Sequence, residues 1–390
     1  MKKTIKDFDL NNKKVVIRVD YNVPIKDGVI TDDNRIVASL DTINYALDNG
    51  AKIILLSHLG RIKEESDKAK NDLRPVAIAL GKLINKEVKF ISDTDFDKIR
   101  EELDGDFTIA LLQNTRYYDL PDNMESGNSE ELASFYASLG DIFINDAFGT
   151  IHRAHASNVG IAKLLPSGVG FLVEKELKEL SYLDDPERPY TVILGGAKVS
   201  DKIKVIENLA KKCDYLVIGG AMANTFLKAK GYNIGASLVE DDYLDFASSM
   251  LELYKDKIIL PVDVTVSKEM SDKEFCDKNI NSLEDDDIIL DLGNNTQIEI
   301  EKILANTKTV MWNGPLGYYE LSTYQKTTAY IMTYLVKNNI RTILGGGDIV
   351  ACSSEFGLKD SVYHASTGGG ATLEYLEGKV LPGIEVIKDI

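Results

Sequence analysis

Short apolar, β-branched runs alternate with helix-length segments along nearly the whole chain, and this alternation narrows the possible folds more than any other feature. In the first half such runs predict strands at residues 15–19, 53–56, 88–91, 108–112 and 142–144. In the second half they fall at 191–194, 215–218, 258–262, 288–292, 309–312 and 342–344. Most are uninterrupted rather than alternating, as strands buried on both faces of a parallel sheet require. Repeated strand–helix units predict an α/β fold of doubly wound parallel sheets. With 390 residues the chain exceeds one ordinary core, so two such domains are expected. Residues 171–183 read as a helix, with Leu172, Leu177 and Leu180 among Glu and Lys, and Asp184-Asp185-Pro186-Glu187-Arg188-Pro189 breaks it. We read this helix as an interdomain connector; the alternative is the last helix of the first domain.

Several function classes are disfavoured from the outset. No apolar run approaches the roughly 20 residues that span a bilayer. The segment Met1-Lys2-Lys3-Thr4-Ile5-Lys6-Asp7 lacks a signal peptide's apolar stretch, so no membrane partner and a cytoplasmic location are expected. Cys213, Cys276 and Cys352 form no CxxC pair, and the four histidines show no metal-ligand spacing. A net charge of −17 repels nucleic acid, so no nucleic-acid partner is expected. Arginine is sparse: nine among 45 basic residues, seven of them before residue 160. Its planar fork fits carboxylate and phosphate in a way lysine does not, so where these arginines lie matters.

In open α/β sheets ligands bind beyond the carboxyl ends of the strands. The first strand runs into Arg18-Val19-Asp20-Tyr21-Asn22, with Arg35 following, and the second into Ser57-His58-Leu59-Gly60-Arg61. The fourth gives Gln113-Asn114-Thr115-Arg116, and the fifth Asn145-Asp146-Ala147-Phe148-Gly149 and then His152-Arg153-Ala154-His155. A single end of this kind is an ordinary turn, and that reading stays open for Asp146, Gly149, His152 and His155. Four together predict a pocket for a small acid bearing phosphate.

The second half uses glycine instead. Gly195-Gly196-Ala197-Lys198-Val199-Ser200-Asp201-Lys202 follows a strand and is expected to open a helix, with Lys198 and Lys202 on one face near its terminus. Gly219-Gly220, Trp312-Asn313-Gly314-Pro315, Gly345-Gly346-Gly347-Asp348 and Ser366-Thr367-Gly368-Gly369-Gly370-Ala371 repeat the pattern, and Asp348 is a candidate ligand for a nucleotide-bridging Mg²⁺. Neither the P-loop nor the GxGxxG fingerprint is present. The residues alone thus indicate an α/β, phosphate-handling, nucleotide-dependent enzyme.

RVDYNVP, HLGR, NDAFGTIHRAHAS, LGGAKVSDKI, WNGPLG, GGGD and STGGGATLEYLEGKVLPG, in this order across nearly the whole chain, resemble phosphoglycerate kinase. The resemblance implies a glycolytic phosphotransferase acting on a carboxyl group, moving phosphoryl reversibly between 1,3-bisphosphoglycerate with Mg·ADP and 3-phosphoglycerate with Mg·ATP. It implies two doubly wound domains facing each other across a cleft: residues 1–170 for 3-phosphoglycerate, 171–183 as connecting helix and 184–370 for nucleotide. Residues 371–390 would return to the first domain, in a monomer that closes by hinge bending. Carried over by position, the substrate site is Asp20, Tyr21, Asn22, Arg35, His58, Leu59, Gly60, Arg61, Arg116 and Arg153. The nucleotide site is Gly196, Ala197, Lys198, Lys202, Gly219, Gly220, Ile289, Asn313, Pro315, Glu320, Gly346, Gly347, Asp348 and Ile349. Asp348 would ligate Mg²⁺; of the catalytic residues Arg35, Lys198 and Lys202, Lys202 would contact the nucleotide phosphates, and Lys198 and Arg35 would neutralise charge on the phosphoryl group in flight.

The chain departs from the family pattern at Ile349, Ile62, Gln113, Asn294 and Ile289. Ile349 stands where a hydroxyl residue is usual, and Ile289 where a smaller one lies beside the base. Ile349 and Ile289 keep in view a binding or scaffold protein that kept the fold and lost catalysis, and since fold alone does not fix substrate, a kinase for a different acid is a further alternative.

Overall fold

The computed structural model describes residues 2–390 and divides into two compact units, one running up to Lys178 together with Val380–Ile390, the other Glu179–Lys379. In the first unit six parallel strands stand in the order Lys89–Ile91, Ile109–Leu112, Lys52–Leu56, Lys14–Val19, Ile142–Asp146 and Ser167–Val169. Side chains alternate between the two faces of a strand. Val15, Ile17, Val19, Ile53 and Leu55 accordingly join one apolar core, with Ile43, Ala46, Val76 and Leu80 of the helices Leu40–Asp48 and Arg74–Ile84. Val16, Ile54 and Leu56 join another, with Ile99, Leu103, Leu132 and Phe135 of Phe96–Asp104 and Glu130–Ser138. Both faces are covered, and that is why the strand sequences are apolar without a break.

In the second unit the parallel order is Ile258–Ile259, Tyr215–Ile218, Tyr190–Leu194, Thr309–Asn313, Arg341–Leu344 and His364–Ala365. The run at 258–262 is cut short because Pro261 cannot donate to a ladder, and the chain leaves this sheet. It continues as Asp263–Ser267 in a separate antiparallel sheet, between Cys276–Asn279 and Ile288–Leu292. The run at 288–292 is therefore a strand of that smaller sheet and not of the parallel one.

The helix expected at 171–183 runs Phe171–Ser181, followed by a 3₁₀ turn at Tyr182–Asp184. Its first turn is satisfied from below. Asp146 Oδ1 accepts the N–H groups of Leu172 (3.0 Å) and Val173 (3.2 Å), and Phe171 N–H donates to Thr42 Oγ1 (2.9 Å). Gly170 precedes it because any Cβ there would run into the Asp146 carboxylate. Residues 371–379, expected with the first domain, cluster with the second unit: Ser366 and Thr372 hydroxyls meet at 2.6 Å, and Asn208 Nδ2 donates to the Leu376 carbonyl (2.7 Å). No helix among the described residues is long and apolar enough to cross a membrane.

Candidate active site

Parallel strands present all their carboxyl ends at one edge, and in the first unit this gathers the arginines. Asp20 lies at the centre. Arg35 donates to its Oδ2 (2.6 Å), His58 Nδ1 lies 3.9 Å from Oδ1, and the Asn22 N–H donates to Oδ1 (3.2 Å). Burial works against this carboxylate, but the Arg35 and Arg18 charges and the Asn22 N–H outweigh it and hold Asp20 below the usual range. Arg18 is 1 % exposed. Its Nε donates to Ser157 Oγ (2.9 Å), NH1 to the Val19 carbonyl, and NH2 meets His58 Nδ1 at 3.3 Å. Behind it Ser157 donates through N–H (3.0 Å) and hydroxyl to the buried carboxylate of Glu125.

Burial brings His58 down to about 3 against the pull of Asp20, and His155 likewise to about 3. Both rings are neutral at neutral pH, so the arginines carry the positive charge here. Arg116 and Arg153 are close enough that, after burial, the Arg153 charge is the next cause lowering Arg116. Arg116 Nε is buried without a partner among the described residues, and Arg153 Nε donates to His152 Nε2 (3.2 Å). A buried, unsatisfied guanidinium N–H beside further cations suits an acceptor-rich anion.

The loops that hold these groups are tied by side-chain hydrogen bonds. Asn114 Nδ2 donates to the carbonyls of Leu59 (2.7 Å) and Asn71 (3.0 Å), while its Oδ1 accepts the N–H groups of Leu59 (3.2 Å) and Arg116 (3.1 Å). Asn22 Oδ1 accepts the Gly60 N–H (2.8 Å), and Arg61 is exposed on the same loop. At two expected substrate residues only the backbone remains for contact: the Tyr21 and Leu59 side chains lie in the core, and the Tyr21 hydroxyl meets Ser39 Oγ at 2.9 Å. Strand alternation is the reason, since Tyr21 continues the inward register of Ile17 and Val19. Gln113 uses its Oε1 only as an acceptor, from Leu73 N–H (3.1 Å) and Asn114 N–H (2.8 Å), so a neutral amide fills the place of a carboxylate.

In the second unit a cavity of about 470 Å³ is lined by Gly196, Ala197, Gly220, Ile289, Pro315, Glu320 and Asp348, with Leu238 and Met270 adding apolar wall. Gly195 permits the closest approach, because its backbone lies against the Pro315 carbonyl where no Cβ fits. The ammonium of Lys202 donates to the Gly195 carbonyl (2.5 Å). Burial brings Lys202 down to about 8, opposed by Asp348 and Asp201. Asp348 is exposed in the first turn of the helix Gly347–Glu355 and makes no hydrogen bond or ion pair among the described residues.

Several sequence expectations shift here. The glycine loop does not open a helix at Lys198: residues 196–202 form turns, and the helix is Ile203–Lys212 with Lys202 as its N-cap. Lys198 is exposed and Lys202 part-buried, so they are not an exposed pair on one helical face. Ile349 is not a nucleotide contact through its side chain, which is fully buried beside Trp312 and Cys352. Gly219, Asn313, Gly346 and Gly347 support the cavity from outside its lining; Asn313 Nδ2 bonds the Gly345 carbonyl and its own carbonyl accepts the Gly195 N–H (2.9 Å). Asn294 occupies the first helical position of Asn294–Leu304, a place that also favours proline, and bridges Asp277 (2.6 Å) and Lys326 (2.8 Å).

Comparison with known proteins agrees with this geometry. The profile of the family described as "Phosphoglycerate kinase" matches residues 5–379. A phosphoglycerate kinase of Enterococcus faecalis is 50% identical over 396 residues, covering 100% of this chain and 99% of that protein. One from Listeria welshimeri is 51% identical over 393 residues, with 100% and 99% covered. Among solved structures, the phosphoglycerate kinase from Coxiella burnetii superposes with a TM-score of 0.90 at 41% identity, over 99% of this chain and 98% of that one. That from Pyrococcus horikoshii gives 0.83 at 30% identity, with the same coverage. The chain belongs to the phosphoglycerate kinase family and has its phosphotransferase activity in glycolysis.

Proposed function

We propose that the arginine pocket of the first unit binds 3-phosphoglycerate and 1,3-bisphosphoglycerate, and that the glycine-lined cavity of the second binds ADP and ATP. The observation that carries this is the contrast between the two sites: arginines converging on Asp20 and His58 in one, and glycine backbone with Lys202 and Asp348 in the other. Arg116, Arg153 and Arg61 take the phosphate end of the acid, while Asp20 and Asn22 accept hydrogen bonds from its hydroxyl end. Arg35, already anchored on Asp20, is free to turn one guanidinium edge to the transferring phosphoryl group, and Lys198 meets it from the nucleotide side. Leu238, Met270 and Ile289 offer the base an apolar wall, and Glu320 lies where a ribose hydroxyl would donate.

Asp348 would hold a magnesium ion, being an unpaired, exposed carboxylate that borders the cavity. When bound, the ion neutralises charge on the nucleotide phosphates. A carboxylate is already a competent nucleophile and a good leaving group, so no general base is required. What remains for the protein is positioning and charge stabilisation. Because the two ligands are assigned to separate units, transfer calls for a hinge closure that also keeps water from the acyl phosphate. A monomer suffices for this.

A coupled assay tests the proposal: ADP-dependent turnover of 1,3-bisphosphoglycerate is expected at saturating Mg²⁺, and its absence in folded protein rejects the reading. Calorimetry with Mg·ADP addresses the alternative of a fold without nucleotide binding. The burial of Ile349 supports binding, since its side chain takes no room from the cavity.

A further inference from the structure

The turn at 196–202, which carries Lys198 and Lys202, is held from outside by one carboxylate. Glu240 Oε2 accepts the N–H groups of Val199 (2.6 Å) and Ser200 (3.1 Å), and its Oε1 accepts the Ser200 hydroxyl (2.6 Å). Glu240 is itself anchored, its N–H donating to Oγ1 of the buried Thr225 (3.2 Å) on the helix Met222–Ala229. Asn224 of that helix donates to the Leu238 carbonyl (3.0 Å), fixing the approach to Glu240. On the other side the Val199 side chain is fully buried. The turn is thus clamped between a core contact and a carboxylate fixed to a helix.

This clamp divides the donors of the turn into two sets. Gly196 N–H is taken by the Pro315 carbonyl (2.9 Å), Lys202 N–H by the Val199 carbonyl (2.9 Å), and those of Val199 and Ser200 by Glu240. The N–H groups of Ala197, Lys198 and Asp201 have no protein partner among the described residues. Two successive N–H groups, at Ala197 and Lys198, are therefore left for an incoming anion, together with the Lys198 ammonium. The next two are withheld from it by an internal anion. Glu240 also lies within electrostatic reach of Lys198.

We infer that Glu240 is a positioning residue for phosphoryl transfer: by clamping Val199 and Ser200 it presents the Ala197 and Lys198 N–H groups, and the Lys198 ammonium, to the nucleotide phosphates. The inference rests on reading the 196–202 turn as the phosphate site. Glu240 touches no substrate and acts through the turn. Its effect belongs in turnover, because a misplaced Lys198 fails chiefly where charge develops.

The test compares Glu240→Gln, Glu240→Asp and the control Asp241→Asn, whose native partner is the exposed Lys228 (2.7 Å), with the unaltered protein. Two readouts are independent: steady-state kinetics with both substrates, and limited trypsin digestion with the cut after Lys198 identified by fragment mass. For Glu240→Gln, kcat is expected to fall on the order of 10–100-fold. The KM for 3-phosphoglycerate should stay within about twofold. Cleavage after Lys198 should quicken several-fold, and Glu240→Asp should recover part of both effects. An unchanged kcat, an unchanged cleavage rate, or an equal loss in Asp241→Asn overturns the inference. If Glu240→Gln does not fold, Ser200→Ala removes one bond of the clamp and must lower kcat in the same direction; no decrease is again an overturning result. Failure of the underlying reading looks different, since Lys198→Ala would then leave kcat and Mg·ADP affinity unchanged while the digestion arm still reports on the clamp.

Discussion

The Lys202 ammonium sits against the Gly195 carbonyl, and burial lowers its pKa to about 8. A free site that loses this proton near pH 8 loses a phosphate partner with it. Affinity for Mg·ADP should be full below that pH and weaken above it, at a rate approaching about tenfold per pH unit on the alkaline side. Lys202→Arg should shift that limb to higher pH, since a guanidinium keeps its charge; calorimetric titrations between pH 6 and 10 would show it, and a flat profile would count against the role. Arg35 allows a sharper separation. It is bonded to Asp20 with its side chain still 40 % exposed, so it can serve a second partner. Arg35→Ala is expected to lower kcat by about 10²–10³-fold while 3-phosphoglycerate binding weakens much less. Comparable losses in both would make it a binding residue only. At this scale the sequence was legible in type and less so in direction. The strand ends pointed to Arg18, Arg116 and Arg153, and the structure brings these three within electrostatic reach of one another, because parallel topology alone gathers them at one edge. The Ile349 and Tyr21 side chains point into the core, because a motif names a residue and not the face it presents. For Ile349 a signal existed: Ile349, Cys352 and Ser353 follow the i, i+3, i+4 spacing of a buried helical stripe. Asn114, Ser157 and Glu125 carry no such signal, since their partners are distant in sequence.

Asp146 ends one strand and caps a helix well further along the chain. It leaves the sheet at Ile142–Asp146 and bonds the first turn of Phe171–Ser181, across which the two units divide. Burial pushes this carboxyl up to about 7, with Thr42 and the Val173 and Leu172 N–H groups opposing. A carboxyl raised in the folded state binds its proton more tightly than in the unfolded chain. Its contribution to stability is therefore complete below about pH 4 and is lost as pH climbs through about 7. Asp146→Asn, which keeps an acceptor for the helix, should gain stability relative to the unaltered protein across that window, by at most about 4 kcal/mol. Urea midpoints at pH 5 and pH 8 would measure it, and a difference independent of pH would refute the assignment. Elements were the most legible level. Apolar runs located the parallel strands, since burial on both faces leaves an unbroken pattern. The small antiparallel sheet was missed because Cys276–Asn279 is exposed or half-exposed along its length and carries no apolar signature.

The two units differ in how their chain is arranged. Glu179–Lys379 is continuous, whereas the first unit includes Val380–Ile390 from the far end of the sequence. That segment makes specific contacts: Lys2 Nζ donates to the Ile387 carbonyl (2.7 Å), Lys3 N–H to the Lys388 carbonyl (3.0 Å), and Gly383 N–H to the Ile151 carbonyl (2.9 Å). Ile151 begins the loop carrying His152 and Arg153, whose carbonyl is in turn held by Asn158 Nδ2 (2.8 Å). Removing Val380–Ile390 is expected to lower the first unit's denaturant midpoint and weaken 3-phosphoglycerate binding by about tenfold or more, leaving Mg·ADP affinity within about twofold. Equal losses at both sites would show that the segment supports the whole molecule instead. During synthesis the same arrangement sets an order of events. The arginines leave the ribosome first, at about 5–20 residues per second, yet the strap beneath their loop emerges only after all of Glu179–Lys379. The whole of Glu179–Lys379 is therefore synthesised before the segment that completes the first unit.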